Sequence, residues 1–428
     1  MISFISSHSS SPSLTHRFIP AAKFFCRSNL LHAQNNFVSE LSSSNHNFNR
    51  FFSKAISSNN SSTCFIEEDD ISPDEHYEVG SQLYNKKDFD KAVAHFKSGA
   101  EKNHANCMNA FARCLYYGHG VKQDFSQASQ YFQNAADKGH KEAQYFCGFM
   151  HLTGSGRSKD IQKAANYLKS SADQDYGAAC FFYAYLLMGG TEAEESQNSN
   201  SNSSQETNED RFARTGQKAF EYLSKGSELG NPACQCAYGI ALFQGENIKP
   251  DKRKGVELIK KSCNRSYPRA LNFYGNLLAK GVTVFEQSAS DNDFQTSYPV
   301  TLIEKDEKAA ADMFAEAASQ FDAEGCYNYG VALLNGKGVK KDTRKALVFI
   351  KKSANLGFAE AICDYASFYE KGIEVKKDIQ KAASLYKQAA DLGCQSAAVH
   401  YGQMCMDGIG VKKDVQEAAK YFKLAMKK

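Results

Sequence analysis

Apolar and polar positions along the chain fall into short segments of helical period. Between Glu142 and Thr153, the residues Ala143, Cys147, Gly148 and His151 form a stripe at three- and four-residue spacing, which predicts one amphipathic helix. Beyond Asp160 a second stripe pairs Ala164 with Leu168. The same pairing of small with large returns as Ala128 with Phe132, Ala346 with Ile350 and Ala418 with Phe422. The alanine lets two helices approach, and the larger side chain fills the space towards the next unit. The predicted unit is therefore a pair of antiparallel helices, A and B.

The pairs recur. The blocks Ala143–Gly148, Ala361–Ala366 and Ala397–Gly402 are each followed six residues later by a Gly (154, 372, 408), and six residues further by an Asp (160, 378, 414). Neighbouring copies lie 36 residues apart, the self-similarity of a repeat architecture. Eight copies begin near Ala105, Lys141, Gly177, Pro232, Pro268, Ala323, Ala359 and Gln395. Helix A of every copy stops at a Gly: 118, 154, 190, 245, 281, 336, 372 or 408. A left-handed residue there costs any other side chain about 1–2 kcal/mol, so the column needs no functional reason. Helix B starts behind Asp124, Asp160, Asp251, Asp306, Asp342, Asp378 or Asp414, each a good N-cap, and behind Thr215 in the remaining copy.

Two copies are longer by 19 residues, both between the Gly and the Asp. One insertion covers roughly Thr191–Arg214 and includes the Asn/Ser run 196–205; the other covers roughly Val282–Lys305. Both are expected to be mobile and dispensable, since loops on one face of a stack can grow without breaking it. Ahead of the array, residues 73–104 form a tighter unit, with Gly80 and Ala92 12 residues apart and Phe89 and Phe96 in the apolar places. This unit resembles a tetratricopeptide repeat and is expected to cap the stack.

Gly330, Gly336, Gly338, Val339, Asp342, Lys345 and Ala346 stand at the spacings of the Sel1-like repeat, and over residues 105–428 the chain resembles that family. The resemblance implies an all-α, right-handed α/α solenoid of roughly 18 helices with no sheet. It also implies a non-catalytic adaptor, since members hold together quality-control machinery, assembly factors and signalling complexes. The chain departs from the family pattern at its Leu, where six consecutive copies carry Tyr: 183, 238, 274, 329, 365 and 401. These are expected to form a core column with hydroxyls reaching the edge of the stack, the alternative being a ligand ladder.

Composition changes the picture at the N-terminus. The first 66 residues are rich in Ser and Asn, carry Glu40 as their sole acid, and scatter Arg17, Lys23, Arg27, Arg50 and Lys54 among them. Such a segment cannot bury enough apolar surface to offset chain entropy, and disorder is expected. Its composition also suits an organelle transit peptide, so a mitochondrial or plastid assembly factor stands as the alternative to a cytoplasmic protein. Thirteen cysteines are an odd number with no Cys-x-x-Cys pair, and Cys234 and Cys236 lack metal spacing. They read as structural thiols in a reducing compartment.

A net charge of +3 gives no general push towards nucleic acid or a membrane surface, and no apolar run is long enough to span a bilayer. No catalytic motif, cofactor loop or metal spacing stands out, so no enzyme is expected. One alternative is an anionic surface met by the turn lysines Lys340, Lys341, Lys376, Lys377, Lys412 and Lys413, with Lys122 and Lys249 further along. The leading expectation is a partner protein or peptide in a concave groove lined by the A helices. By analogy with tetratricopeptide arrays, its residues are Tyr145, Phe149, Phe181, Tyr185, Cys236 and Ile240, followed by Arg269, Asn272 and Asn276.

Overall fold

The computed structural model describes residues 71–191, 208–245, 247–287 and 297–426. The Ser/Asn-rich N-terminal segment and the Asn/Ser run 196–205 lie outside them. Eighteen helices occur among the described residues, and within each unit consecutive helices pack as antiparallel pairs in an all-α repeat fold. The chain divides into two units within one helix. The first unit holds α1 (Pro73–Asn85), α2 (Phe89–Glu101), α3 (Ala105–Tyr117), α4 (Phe125–Asp137), α5 (Lys141–Thr153), α6 (Ile161–Asp173), α7 (Gly177–Met188), α8 (Asn208–Glu228) and α9 (Pro232–Gln244) up to Ala241. The second takes up residues 242–244 and continues from Pro250. It holds α10 (Lys252–Cys263), α11 (Pro268–Lys280), α12 (Glu307–Ser319), α13 (Ala323–Asn335), α14 (Thr343–Asn355), α15 (Ala359–Lys371), α16 (Ile379–Asp391), α17 (Gln395–Asp407) and α18 (Val415–Met426).

The punctuation expected from sequence operates locally. Gly118, Gly154, Gly245, Gly336, Gly372 and Gly408 end their helices in the left-handed conformation. The seven aspartates cap the B helices: the Asp342 carboxylate accepts the Lys345 N–H at 2.9 Å, and Asp160 accepts that of Lys163 at 3.0 Å. Asp342→Ala removes such a cap and is expected to lower stability by about 1 kcal/mol in urea denaturation. Thr215 behaves otherwise. It lies buried inside α8, because Asn208–Arg214 contains no Gly or Pro and opens with Glu209 and Asp210, acids that suit a helix N-terminus. The end of the first insertion is thus helical.

The second insertion overturns the expectation of no sheet. Val282–Gln287 (β1) pairs antiparallel with Ser297–Ile303 (β2), with an irregularity between Val282 and Thr283. Val282, Thr283, Val284, Val300, Thr301 and Ile303 are β-branched, which suits a pleated ribbon better than a helix. The ribbon is anchored as well. Ile303 is buried with Val256, Leu277, Leu278 and Phe314, so the end of this insertion shares the core of its unit.

The Tyr column belongs to the packing. Tyr183, Tyr238, Tyr365 and Tyr401 are buried, while Tyr274 and Tyr329 are half-buried. Three of the rings meet B-helix aromatics edge to face: Tyr183 with Tyr222 at 4.8 Å, Tyr329 with Phe349 at 4.8 Å and Tyr401 with Tyr421 at 4.7 Å. All described cysteines are free thiols, and all but Cys263 are buried. Burial pushes Cys107, Cys114 and Cys147 up to about 12 and Cys180 up to about 11, as expected for thiols serving as small apolar side chains.

Candidate partner-binding face

Three polar residues of α3 share one face at four-residue spacing: Asn109, Arg113 and Tyr117. Glu142, in the first turn of α5, reaches across to them. The Asn109 Nδ2 donates to Glu142 Oε2 at 2.8 Å, and the Arg113 guanidinium pairs with Glu142 Oε1 at 3.2 Å. Burial works against the Arg113 charge, but the Glu142 carboxylate opposes it and the guanidinium stays protonated. Burial likewise pushes the Tyr77, Tyr84 and Tyr117 phenols up, so they stay neutral donors. The Tyr84 hydroxyl and His119 Nδ1 lie 2.7 Å apart, and the His119 ring stacks on Tyr117.

What distinguishes this cluster is what it leaves over. Asn109 is 4% exposed, yet its Oδ1 has no hydrogen-bond partner; neither has Arg113 Nε or the Tyr117 hydroxyl. A shielded polar atom left unpaired costs about 1–3 kcal/mol, so such atoms are rare in native proteins, and three on one helix face call for an explanation. Together they offer an acceptor, a donor and a hydroxyl in a row, complementary to the N–H and C=O groups of an extended chain.

The residues expected to line a groove fare differently. Tyr145 and Phe149 are 2% and 5% exposed, which corrects their placement on an open surface. Tyr145 packs on Tyr176 at 5.2 Å and Phe182 at 5.9 Å, and Phe149 meets Phe182 edge to face at 5.4 Å. Cys236 is also buried, whereas Phe181, Tyr185 and Ile240 are half-buried. The physical reason is helix rotation: α5 is apolar nearly all round, so both of its faces pack, and its period alone leaves the angle undetermined.

In the second unit the structure brings Arg269 and Asn272 together with Glu324 of α13, while Asn276 stands half-buried one turn on. Asn272 is buried; it hydrogen-bonds Glu324 and accepts from Asn328 Nδ2 at 2.8 Å. Burial and Asp322 raise the Glu324 carboxyl while Arg269 opposes them. Asn109 with Glu142 and Asn272 with Glu324 occupy equivalent repeat positions, the fifth residue of one A helix and the second of the next. An Asn and a Glu at that offset were the available sequence signal, and Arg113 and Tyr117 follow from it at four-residue steps. The six paired turn lysines are all exposed. Among the described residues, no group of His, Cys, Asp and Glu could hold a metal, and no helix is long and apolar enough to cross a membrane.

The Sel1 repeat family model matches residues 75–104, 105–140, 141–176, 216–231, 232–267, 323–358, 359–394 and 395–428. Residues 75–104, tetratricopeptide-like by their tighter spacing, are thus matched by the same model. The two copies carrying insertions are matched in part or not at all. Among solved structures, a protective antigen of uropathogenic Escherichia coli displaying an SLR fold aligns at 21% identity, over 82% of this chain and 68% of that one, with a TM-score of 0.52. A Sel1 repeat protein from Oxalobacter formigenes aligns at 18% identity, over 86% and 93%, with a TM-score of 0.45. At such identity the antigen structure speaks for the fold alone, but the family model covers more than half of the residues: the chain belongs to the Sel1 repeat family.

Proposed function

We propose that this protein is a non-catalytic scaffold that binds an extended segment of a partner protein along the A-helix face of its first unit. Sel1 repeat proteins are in general protein-interaction scaffolds, and the observation that carries the reading here is the row of shielded, unpartnered atoms on Asn109, Arg113 and Tyr117. These atoms are covered in the free protein, so a peptide backbone laid across α3 would satisfy them only by displacing the side chains that cover them. The burial cost of these groups would then be offset only in the complex, which couples affinity to this one patch. Glu142 holds Asn109 and Arg113 in place without filling their remaining valences.

The test uses Tyr117→Phe, which deletes an unpaired hydroxyl and keeps the ring that stacks on His119. Stability is expected to hold or to rise by about 1 kcal/mol, because the variant no longer buries an unsatisfied group. Recovery of the bound partner in a quantitative pull-down is expected to fall about tenfold relative to wild type, the value of one or two hydrogen bonds. Unchanged recovery of every co-purifying protein would remove the face from consideration. In that case an anionic vesicle or nucleic-acid binding assay on the Lys340, Lys376 and Lys412 edge becomes the next measurement.

A further inference from the structure

We propose that Cys363 and Cys394 are an oxidisable thiol pair, a modification site at which hydrogen peroxide joins α15 to α17 through a disulfide. Both residues belong to the second unit. Cys363 is the fifth residue of α15, and Cys394 is the N-cap of α17. The repeat brings those two positions together in other copies: Tyr145 meets Tyr176 at 5.2 Å, and Tyr327 meets Phe358 at 5.2 Å. Here both positions carry Cys, and the two thiols lie in the same buried cluster, close enough to interact. By contrast, Cys180 and Cys326 direct their sulfurs to the backbone carbonyls of Ala172 and Ala318.

The roles within the pair are unequal. The S–H of Cys363, and then the N–H groups of Ala397 and Ser396 at the start of α17, hold the Cys394 thiol down at about 7 in spite of burial. The same contact with Cys394, together with burial, pushes the Cys363 thiol up. Glu360 disfavours charge on both sulfurs, Asp364 disfavours it on Cys363, and the Tyr386 phenol of α16 faces Cys363 while remaining neutral. Cys394 is therefore the more readily ionised sulfur and Cys363 the one that keeps its proton. Each is 7% exposed, whereas Cys147, Cys180 and Cys326 are fully enclosed, so among the buried thiols a small oxidant reaches this pair first.

The chemistry balances. The Cys394 thiolate attacks one oxygen of hydrogen peroxide and breaks the O–O bond, giving a sulfenic acid and hydroxide. That hydroxide takes the proton Cys394 had released and becomes water. The Cys363 sulfur then attacks the Cys394 sulfur, and the sulfenic hydroxyl leaves with the Cys363 proton as a second water. Two thiols are oxidised by two electrons, and one peroxide is reduced. The bond staples two neighbouring A helices across α16, and a thiol reductant reverses it.

The experiment treats the full-length chain with one equivalent of hydrogen peroxide, blocks the remaining thiols by alkylation and maps the peptides without reduction. The expected first product is a Cys363–Cys394 cross-linked peptide, two hydrogens lighter than the separate peptides and lost on reduction. In Cys363→Ser, Cys394 is expected to stop at the sulfenic acid, captured by dimedone; in Cys394→Ser, no such cross-link forms. Before oxidation, Cys394 is expected to react with iodoacetamide at neutral pH at least about tenfold faster than Cys180 or Cys326. Even oxidation of all thiols, a different first cross-link, or a Cys394 sulfenic acid that persists in wild type overturns the proposal. The wild-type map decides this even if a serine variant folds poorly.

Discussion

Truncating Phe149 to Ala lowers the stability of the first unit by about 3–5 kcal/mol, the cost of removing a ring from a packed core. Phe149 is nearly fully buried against Phe182 and Tyr145, so its surface is covered in the free protein and not by an arriving partner. Adding Tyr185→Ala costs less, because Tyr185 is half-buried. Urea denaturation followed by far-UV circular dichroism, with amide hydrogen exchange to locate the loss, reads the effect. Loosening is expected to concentrate in α5 and α7, since each copy of a repeat array touches chiefly its neighbours. A double variant that melts like wild type would mean that these rings contribute only when a partner is bound, and would return them to the binding face.

Gly338→Ala is the second large effect, and Gly336→Ala is its control. Both glycines have positive φ, +69° at Gly338 and +71° at Gly336, so either substitution stores about 1–2 kcal/mol of backbone strain. They differ in what a methyl group would meet. At Gly336 the nearest atom is the Lys341 Cβ at 3.3 Å, which must give by only a few tenths of an ångström; at Gly338 the methyl would overlap the Glu307 carbonyl oxygen. The turn of one copy rests directly on the first residue of the preceding B helix, and a methyl group at Gly156 would overlap the Phe125 carbonyl in the same way. Gly338→Ala must push two copies apart and is expected to cost about 4 kcal/mol or more, among the larger single-residue effects. Equal melting of the two variants would show that the turn yields freely and that the second glycine sets no spacing.

The boundary between local and tertiary information runs through particular residues. Helix number, pairing and caps were legible because they are encoded within a few residues: an Asp whose carboxylate meets the N–H three positions on, or a Gly that alone tolerates the left-handed turn. The 36-residue period placed them in register without any contact being known. The insertions were legible as insertions but not as structure. The ribbon at Val282–Ile303 needed the pairing of two distant β-branched runs, and the start of α8 needed a helix extended back past Thr215.

The candidate site shows the same division. The periodicity of α5 said that its apolar residues pack; it did not say against what, so Tyr145 and Phe149 read as groove although they are core. A helix apolar on most of its circumference has no single preferred angle, and only the neighbouring helices choose one. The polar row on α3 was equally invisible, because being unpartnered is a statement about every other atom nearby. The meeting of Cys363 and Cys394 likewise depends on two neighbouring copies stacking in one register. Sequence alone determined what repeats here, since caps, turns and period act along the chain. The tertiary structure decided which faces are buried and which polar atoms are left over, since those depend on contacts between copies.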